Sequence, residues 1–112
     1  MYYRDSGKFE ETSEGLILKS KENNFYVIPS DKYMLREKCH ILKDAMHNTL
    51  ASEYEKIVID MSEVKKIDAG GINTLVSLKK KAESLNIEIE LKNVNSEYVK
   101  RVFEIIEANK IF

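Results

Sequence analysis

The residues of this chain that could do chemistry are concentrated between Ile57 and Ile72, in the run Ile-Val-Ile-Asp-Met-Ser-Glu-Val-Lys-Lys-Ile-Asp-Ala-Gly-Gly-Ile. Two carboxylates, Asp60 and Asp68, bracket a short loop, with Ser62 following the first and the pair Gly70-Gly71 following the second. A buried strand that runs through a loop into a helix presents free backbone N–H groups and a partial positive charge at the helix start, and such an end can hold an anion. Asp68 stands where it can cap that helix or meet a partner. The glycines remove two Cβ atoms, so another backbone or side chain can come close. A glycine pair at a helix start also fits an ordinary tight turn, so local chemistry alone leaves both readings open. As catalytic apparatus the stretch is poor, because no Lys, His or third acid stands at a spacing that would turn Asp60 and Asp68 into a metal site or an acid–base pair.

The remaining reactive side chains read as structural. His40 and His47 share one side of a helix but stand about 10.5 Å apart along its axis, too far for one metal ion, and are expected on the surface. Cys39 falls in the apolar stripe of the same helix and is expected to be a buried core thiol. A single cysteine excludes an intramolecular disulfide and suits a reducing compartment. The runs Lys65-Lys66 and Lys79-Lys80-Lys81 are interspersed with acids and lack aromatic stacking partners, which fits a solvated face better than a nucleic-acid site.

The elements that must position these residues are read from periodicity. Residues 1–15 form a polar lead-in, with Tyr2 and Tyr3 near its start and room for one edge strand around Phe9. Leu16-Ile17-Leu18 and Phe25-Tyr26-Val27-Ile28 predict a β-hairpin turning at Lys21-Glu22-Asn23-Asn24, where the asparagines suit a turn. Pro29 ends the second strand, and Ser30 or Asp31 can cap the next element. Leu35, Cys39, Leu42, Met46 and Leu50 trace one stripe of an amphipathic helix. Ile57-Val58-Ile59 predicts a central strand covered on both faces. A second helix carries Ile72, Leu75, Val76, Leu78, Ala82 and Leu85 and stops near Asn86. Ile87, Ile89 and Leu91 alternate with polar residues as a strand nearer the sheet edge. Asn95 or Ser96 caps a last helix with Val99, Val102, Phe103 and Ile106 inward, and Ile111-Phe112 is a candidate strand stub. The order β-β-α-β-α-β-α implies right-handed parallel crossovers, with helices on one or both faces of the sheet.

The stretch resembles the STAS domain family, the fold of bacterial anti-sigma factor antagonists. Its signature is a strand ending in Asp-Leu-Ser, followed by Asp-Ser-Ser/Thr-Gly opening a helix. Asp60-Met61-Ser62 and Asp68-Ala69-Gly70-Gly71 occupy those places, with Val64 and Ile67 at the intervening apolar positions. The similarity extends from about Leu16 to Phe112 and includes the polar turn Asn93-Val94-Asn95-Ser96. It implies an α/β fold with a mixed four- to five-stranded sheet and three to four helices over residues 16–112. In phosphorylatable relatives the second Ser or Thr of the motif accepts phosphate, and here Gly70 stands in its place with Ala69 before it, so the resemblance implies no phosphorylation at this loop. Adding about two negative charges there is how such a switch opposes binding, and this chain has no hydroxyl to carry them. Ser62, Thr74 and Ser77 lie nearby in sequence but not at that position.

The same resemblance implies a protein-interaction module that binds an anti-sigma factor or related kinase-like protein through Asp68, Gly70, Gly71, Asn73, Thr74 and Ser77. Asn73, Ser77, Lys80 and Ser84 share one helix face opposite the apolar stripe. An accessory or scaffold subunit, stressosome-like or beside a lipid-transport ATPase, is an alternative. A small-ligand or nucleotide sensor using the helix end at Gly70-Gly71 is another. No enzyme, cofactor or metal is expected. Length and composition set the frame: 112 residues, 43% hydrophobic and 33% charged with one Pro and four Gly, suit one folded domain and exclude collagen-like or disordered classes. A net charge of −1 gives no field toward nucleic acid or anionic bilayers. The absence of a long apolar run or signal-like start predicts a cytoplasmic protein without membrane insertion, as monomer or weak dimer.

Overall fold

The computed structural model describes residues 9–13, 15–50 and 54–106. Tyr2 and Tyr3, and the candidate strand stub Ile111-Phe112, lie outside the described residues. Among the described residues five strands form one sheet: β1 (Phe9–Ser13), β2 (Leu16–Lys21), β3 (Asn24–Pro29), β4 (Lys56–Asp60) and β5 (Glu88–Lys92). Their spatial order is the chain order. β1, β2 and β3 pair antiparallel, while β3, β4 and β5 pair parallel. Among the described residues three helices flank the sheet, α1 (Cys39–Leu50), α2 (Ala69–Ser84) and α3 (Glu97–Ile105), with one short 3-10 turn over Asp31–Met34.

Sheet order explains why the helices share a side. β4 is added beside β3 and β5 beside β4 in the same direction, and right-handed crossovers that advance in one direction place both connecting helices, α1 and α2, on one face. Strand alternation then sorts the side chains. Leu16, Leu18, Phe25, Val27, Ile57, Ile59 and Ile89 point into one core cluster with Leu42, Met46 and Leu50 of α1, Leu75, Leu78 and Ala82 of α2 and Val99 of α3. Val58 points the other way. It is buried to 3% exposure yet lies outside that cluster, so the strand is covered on both faces as its sequence predicts, and of the two helix arrangements left open it is the one-sided one that is found: among the described residues the helices lie on one face only. A fully apolar strand does not by itself distinguish a helix above it from flanking side chains that shield it.

Three further boundaries differ from expectation. The hairpin turns on Glu22 and Asn23, since Lys21 pairs with Asn24, and it is Glu22, not an asparagine, that takes the left-handed conformation at φ 55°. Ser30 precedes the 3-10 turn but its side chain caps nothing; its Oγ is buried without a partner among the described residues. The first helix begins at Cys39 rather than Leu35, because Leu35 is extended (φ −114°, ψ 151°) and its carbonyl accepts from Lys38 N at 3.1 Å and Cys39 N at 2.9 Å. Tyr33 and Met34, ahead of the periodic stripe, are core residues.

The later elements agree closely with the sequence pattern. α2 ends in a Schellman motif: Asn86 has φ 59°, its N–H donates to Glu83 O at 3.2 Å, and Ile87 N donates to Ala82 O at 2.9 Å. Leu85, at the end of the apolar stripe, is 43% exposed and contributes little to the core. Of the two candidate caps for α3 it is Ser96 that acts, its Oγ accepting from Val99 N at 3.3 Å.

Candidate functional site

The loop between β4 and α2 is held at both ends by its acids. At the carboxyl end of β4, Asp60 Oδ1 accepts from Ser62 N at 2.9 Å, closing a tight turn, and from Asn93 Nδ2 at 3.2 Å. Met61 N donates to Lys92 O at 2.8 Å, and Ser96 Oγ donates to Lys65 O at 3.0 Å. The turn after β5 and the cap of α3 are thereby tied to the motif loop. Asn93 takes part from the left-handed region, φ 57°. Burial pushes the Asp60 carboxyl upward, but the N–H of Ser62, the Asn93 amide and the Lys92 charge together outweigh it and hold the group below its ordinary value.

At the other end Asp68 is the N-cap of α2. Its backbone is extended, its Oδ1 accepts from Gly71 N at 3.1 Å, and its carbonyl accepts from Ile72 N at 2.9 Å. Its second oxygen makes a contact that periodicity and motif do not announce: Oδ2 accepts from the backbone N of Arg36 at 2.8 Å. Asp68 N in turn donates to Met34 O at 3.2 Å. One residue therefore clasps the segment Met34–Arg36 to the start of α2. The Arg36 N–H is the largest influence on the Asp68 carboxyl; burial opposes it, and with the N–H groups of Gly71 and Gly70 and the Arg36 charge the Arg36 N–H holds the pKa below its ordinary value.

This clasp accounts for both glycines. A Cβ at Gly71 would collide with the carbonyl oxygen of Met34, and would stand 2.7 Å from the Met34 carbonyl carbon. A Cβ at Gly70 would stand 3.0 Å from Arg36 Cα and 3.2 Å from both Asp68 Oδ1 and Cys39 Sγ. The close approach that the glycines allow is made by the chain itself. Cys39 is accordingly not the buried core thiol expected: it is half-buried at the start of α1, facing Gly70, with Sγ 3.6 Å from Arg36 O. The sequence signal for this contact is the glycine pair; its partner, Met34–Cys39, carries no motif of its own.

The six candidate contact residues separate by exposure. Asn73 is exposed, Asp68, Gly70 and Ser77 are half-buried, and Gly71 and Thr74 are buried, Thr74 to 5%. Beside them an open hollow of about 420 Å³ is lined by Lys32, Leu35, Arg36, Glu37, Lys38 and Asp68. Asp60 and Asp68 share no hydrogen-bond partner and secure different segments, so they do not act as a carboxylate pair. His40 and His47 are both exposed. Among the described residues no group of three or more His, Cys, Asp or Glu side chains could hold a metal ion, and no helix is long and apolar enough to cross a membrane.

A mixed sheet with its helices on one face, and a strand–loop–helix motif at the carboxyl end of β4, define an α/β domain that presents a helix start. Residues 9–112 match the STAS domain family, and the chain belongs to it. The fold is shared with a candidate anti-sigma factor antagonist from Thermotoga maritima, at TM-score 0.76 and 24% identity over 84% of this chain and 80% of that one. It is also shared with the phosphorylated form of the Bacillus cell fate determinant SpoIIAA, at TM-score 0.60 and 9% identity over 93% and 86%. A murine solute carrier 26 family anion transporter contains the same fold, at TM-score 0.63 and 16% identity; the match covers 92% of this chain but 18% of the transporter. Comparison with curated proteins gives no match. The five-stranded mixed sheet and three helices agree with the architecture that the resemblance implied.

Proposed function

We propose that this STAS domain is a non-enzymatic interaction module, an antagonist that binds a kinase-like anti-sigma factor through the loop Asp68–Gly71 and the exposed face of α2, without phosphorylation at that loop. The observation that carries this reading is the state of position 70. It has no hydroxyl, and Arg36 and Cys39 leave little room for one. The surface therefore stays in the unphosphorylated form that a phosphate would otherwise interrupt. Asn73 and Ser77 offer polar contacts on α2, while Gly71 and Thr74 shape that surface from beneath. The candidate anti-sigma factor antagonist of Thermotoga maritima, whose fold the chain shares, supports the kind of partner proposed.

The test is affinity capture with the tagged full chain, identification of the retained protein, and titration of that protein against variants. Gly70→Asp places charge at the acceptor position and Gly70→Ala controls for the added Cβ; Asn73→Arg adds bulk on the exposed face. Gly70→Ala should bind within about threefold of the parent, whereas Gly70→Asp and Asn73→Arg should lose about tenfold or more, the scale of a like charge or clash within an interface. Equal binding by Gly70→Asp and Gly70→Ala, with Asn73→Arg unimpaired, refutes this surface as the contact.

A further inference from the structure

The three helices are not anchored alike. α1 sinks Leu42, Met46, Thr49 and Leu50 and α2 sinks Gly71, Thr74, Leu75, Leu78 and Ala82, whereas α3 buries only Val99 completely. At about 100° per residue the apolar side chains of α3 and its C-cap, from Ile105 through Tyr98, Val102, Ile106 and Val99 to Phe103, span about 160°, wider than the stripe of about 100° that seats a helix on a core. The core takes one side of that arc. Val102, Phe103 and Ile106 are half-buried, and Tyr98 and Ile105 are 56% and 74% exposed. The ion pair of α3, Lys100 with Glu97 at 3.6 Å, lies within the helix and fastens it to nothing else. An element with few buried apolar side chains is one that opens at low free energy while the rest stays folded.

This thinly seated helix nonetheless holds part of the motif loop. The loop is secured in two halves, and the second half, at Asp68, is clasped to Met34 and Arg36. The first half is secured from the side of β5 and α3: Met61 N donates to Lys92 O, Asn93 Nδ2 to Asp60 Oδ1 and Ser96 Oγ to Lys65 O. Ser96 joins loop to helix with one atom. Its Oγ donates to Lys65 O at 3.0 Å while accepting from Val99 N at 3.3 Å, so the hydroxyl is aimed at the loop by the first turn of α3. Met61 and Val64 also lie in the core cluster to which α3 contributes Val99.

We infer that α3 and the loop over residues 61–66 form one latch, closed by Ser96, that opens as a unit while α2 stays folded. Resting on the reading that places a partner at the start of α2, the latch sets the order of the loop leading into that surface. Its test needs no partner, so the two can fail separately. Amide hydrogen exchange of the full chain is followed by NMR across a series of low urea concentrations. The amides of Lys100, Phe103, Met61 and Val64 should share one opening free energy and one urea slope, both below those of Leu75 and Leu78 in α2. Val102→Ala should speed exchange in α3 and in the loop by the same factor, about fivefold for a half-buried truncation, whereas Gly71→Ala should speed α2 and leave α3 and the loop unmoved. Ser96→Gly retains most of the cap but has no hydroxyl, so the loop should speed about fivefold and α3 less than about twofold; Ser96→Thr should match the parent. In the Ser96→Gly background Val102→Ala should speed α3 alone. Loop exchange that ignores Val102→Ala or Ser96→Gly would overturn the inference. Equal acceleration of the loop by Val102→Ala and Gly71→Ala would also overturn it, since the opening would then be that of the whole domain.

Discussion

Replacing each of the two glycines by alanine separates the two halves of the clasp on α2. At Gly71 the new Cβ meets backbone: the Met34 carbonyl oxygen lies within contact distance and Ile67 Cγ1 is 2.9 Å away. Relieving that overlap moves Met34 by about 1 Å, an overpacking cost of about 1–3 kcal/mol, and loosens the Asp68 N to Met34 O bond, about 1 kcal/mol more. Alanine returns about 1 kcal/mol of helix propensity, leaving Gly71→Ala destabilised by about 1–3 kcal/mol. At Gly70 the contacts are 3.0 and 3.2 Å, so Arg36 and Cys39 need retreat only a few tenths of an ångström. The propensity gain there offsets most of the cost, and Gly70→Ala should lie within about 1 kcal/mol of the parent. Urea melts followed by circular dichroism measure both, with equal slopes confirming that the midpoint shift reports stability. In thermal melts the Gly71 variant should fall by roughly 5–15 °C. Equal stability of Gly71→Ala and the parent, or a larger loss at Gly70 than at Gly71, would refute the account of why these positions are glycine.

Two other perturbations probe the same framework. The folded-state pKa of Asp68 is depressed below the ordinary value of 3.8, so its contribution to stability is present above that pH and is lost as pH falls through the depressed value. The stability gap between the parent and Asp68→Asn should therefore narrow on acidification below about pH 4, as read from melting temperatures across a pH series; a constant gap contradicts the role given to the carboxylate. Asn86→Ala should cost about 1 kcal/mol, because alanine resists the left-handed conformation at φ 59°, and Asn86→Gly should be neutral or better; loss in both variants would mean that the Asn86 side chain, not its backbone, matters.

Much of this architecture is legible in the sequence because alternation and helical periodicity report burial directly. Ile57-Val58-Ile59 marks an interior strand, Ile87, Ile89 and Leu91 the edge strand, and Asn86 and Ser96 the helix boundaries. What periodicity does not convey is contact between segments distant in the chain. The stripe from Leu35 to Leu50 continues one turn too far because nothing in Leu35 or Arg36 announces that Asp68, 32 residues from Arg36, takes the Arg36 N–H. Burial of Val58 is readable, but not the side from which it is shielded, since a β-branched residue serves equally under a helix or among long neighbouring side chains. The motif residues Asp68, Gly70 and Gly71 stand out at once; that they hold the fold together as well as form a surface is visible only from Met34, Arg36 and Cys39.

The strand order has a consequence for how the molecule comes into being. Because each strand lies beside its predecessor in the chain, every strand can dock on one already synthesised, and no segment must wait for a later one to complete its hydrogen bonds on that side. The β2–β3 hairpin is the most local pairing and can form first. β4 and β5 must each close a longer loop before they pair, which costs more chain entropy. Assembly can therefore proceed from the amino-terminal hairpin outward, and the last strand added, β5, is also the one that carries the turn at Asn93 fastening the Asp60 end of the motif loop. On this route the Asp60 end of the motif loop is fastened only once β5 and the turn at Asn93 have emerged.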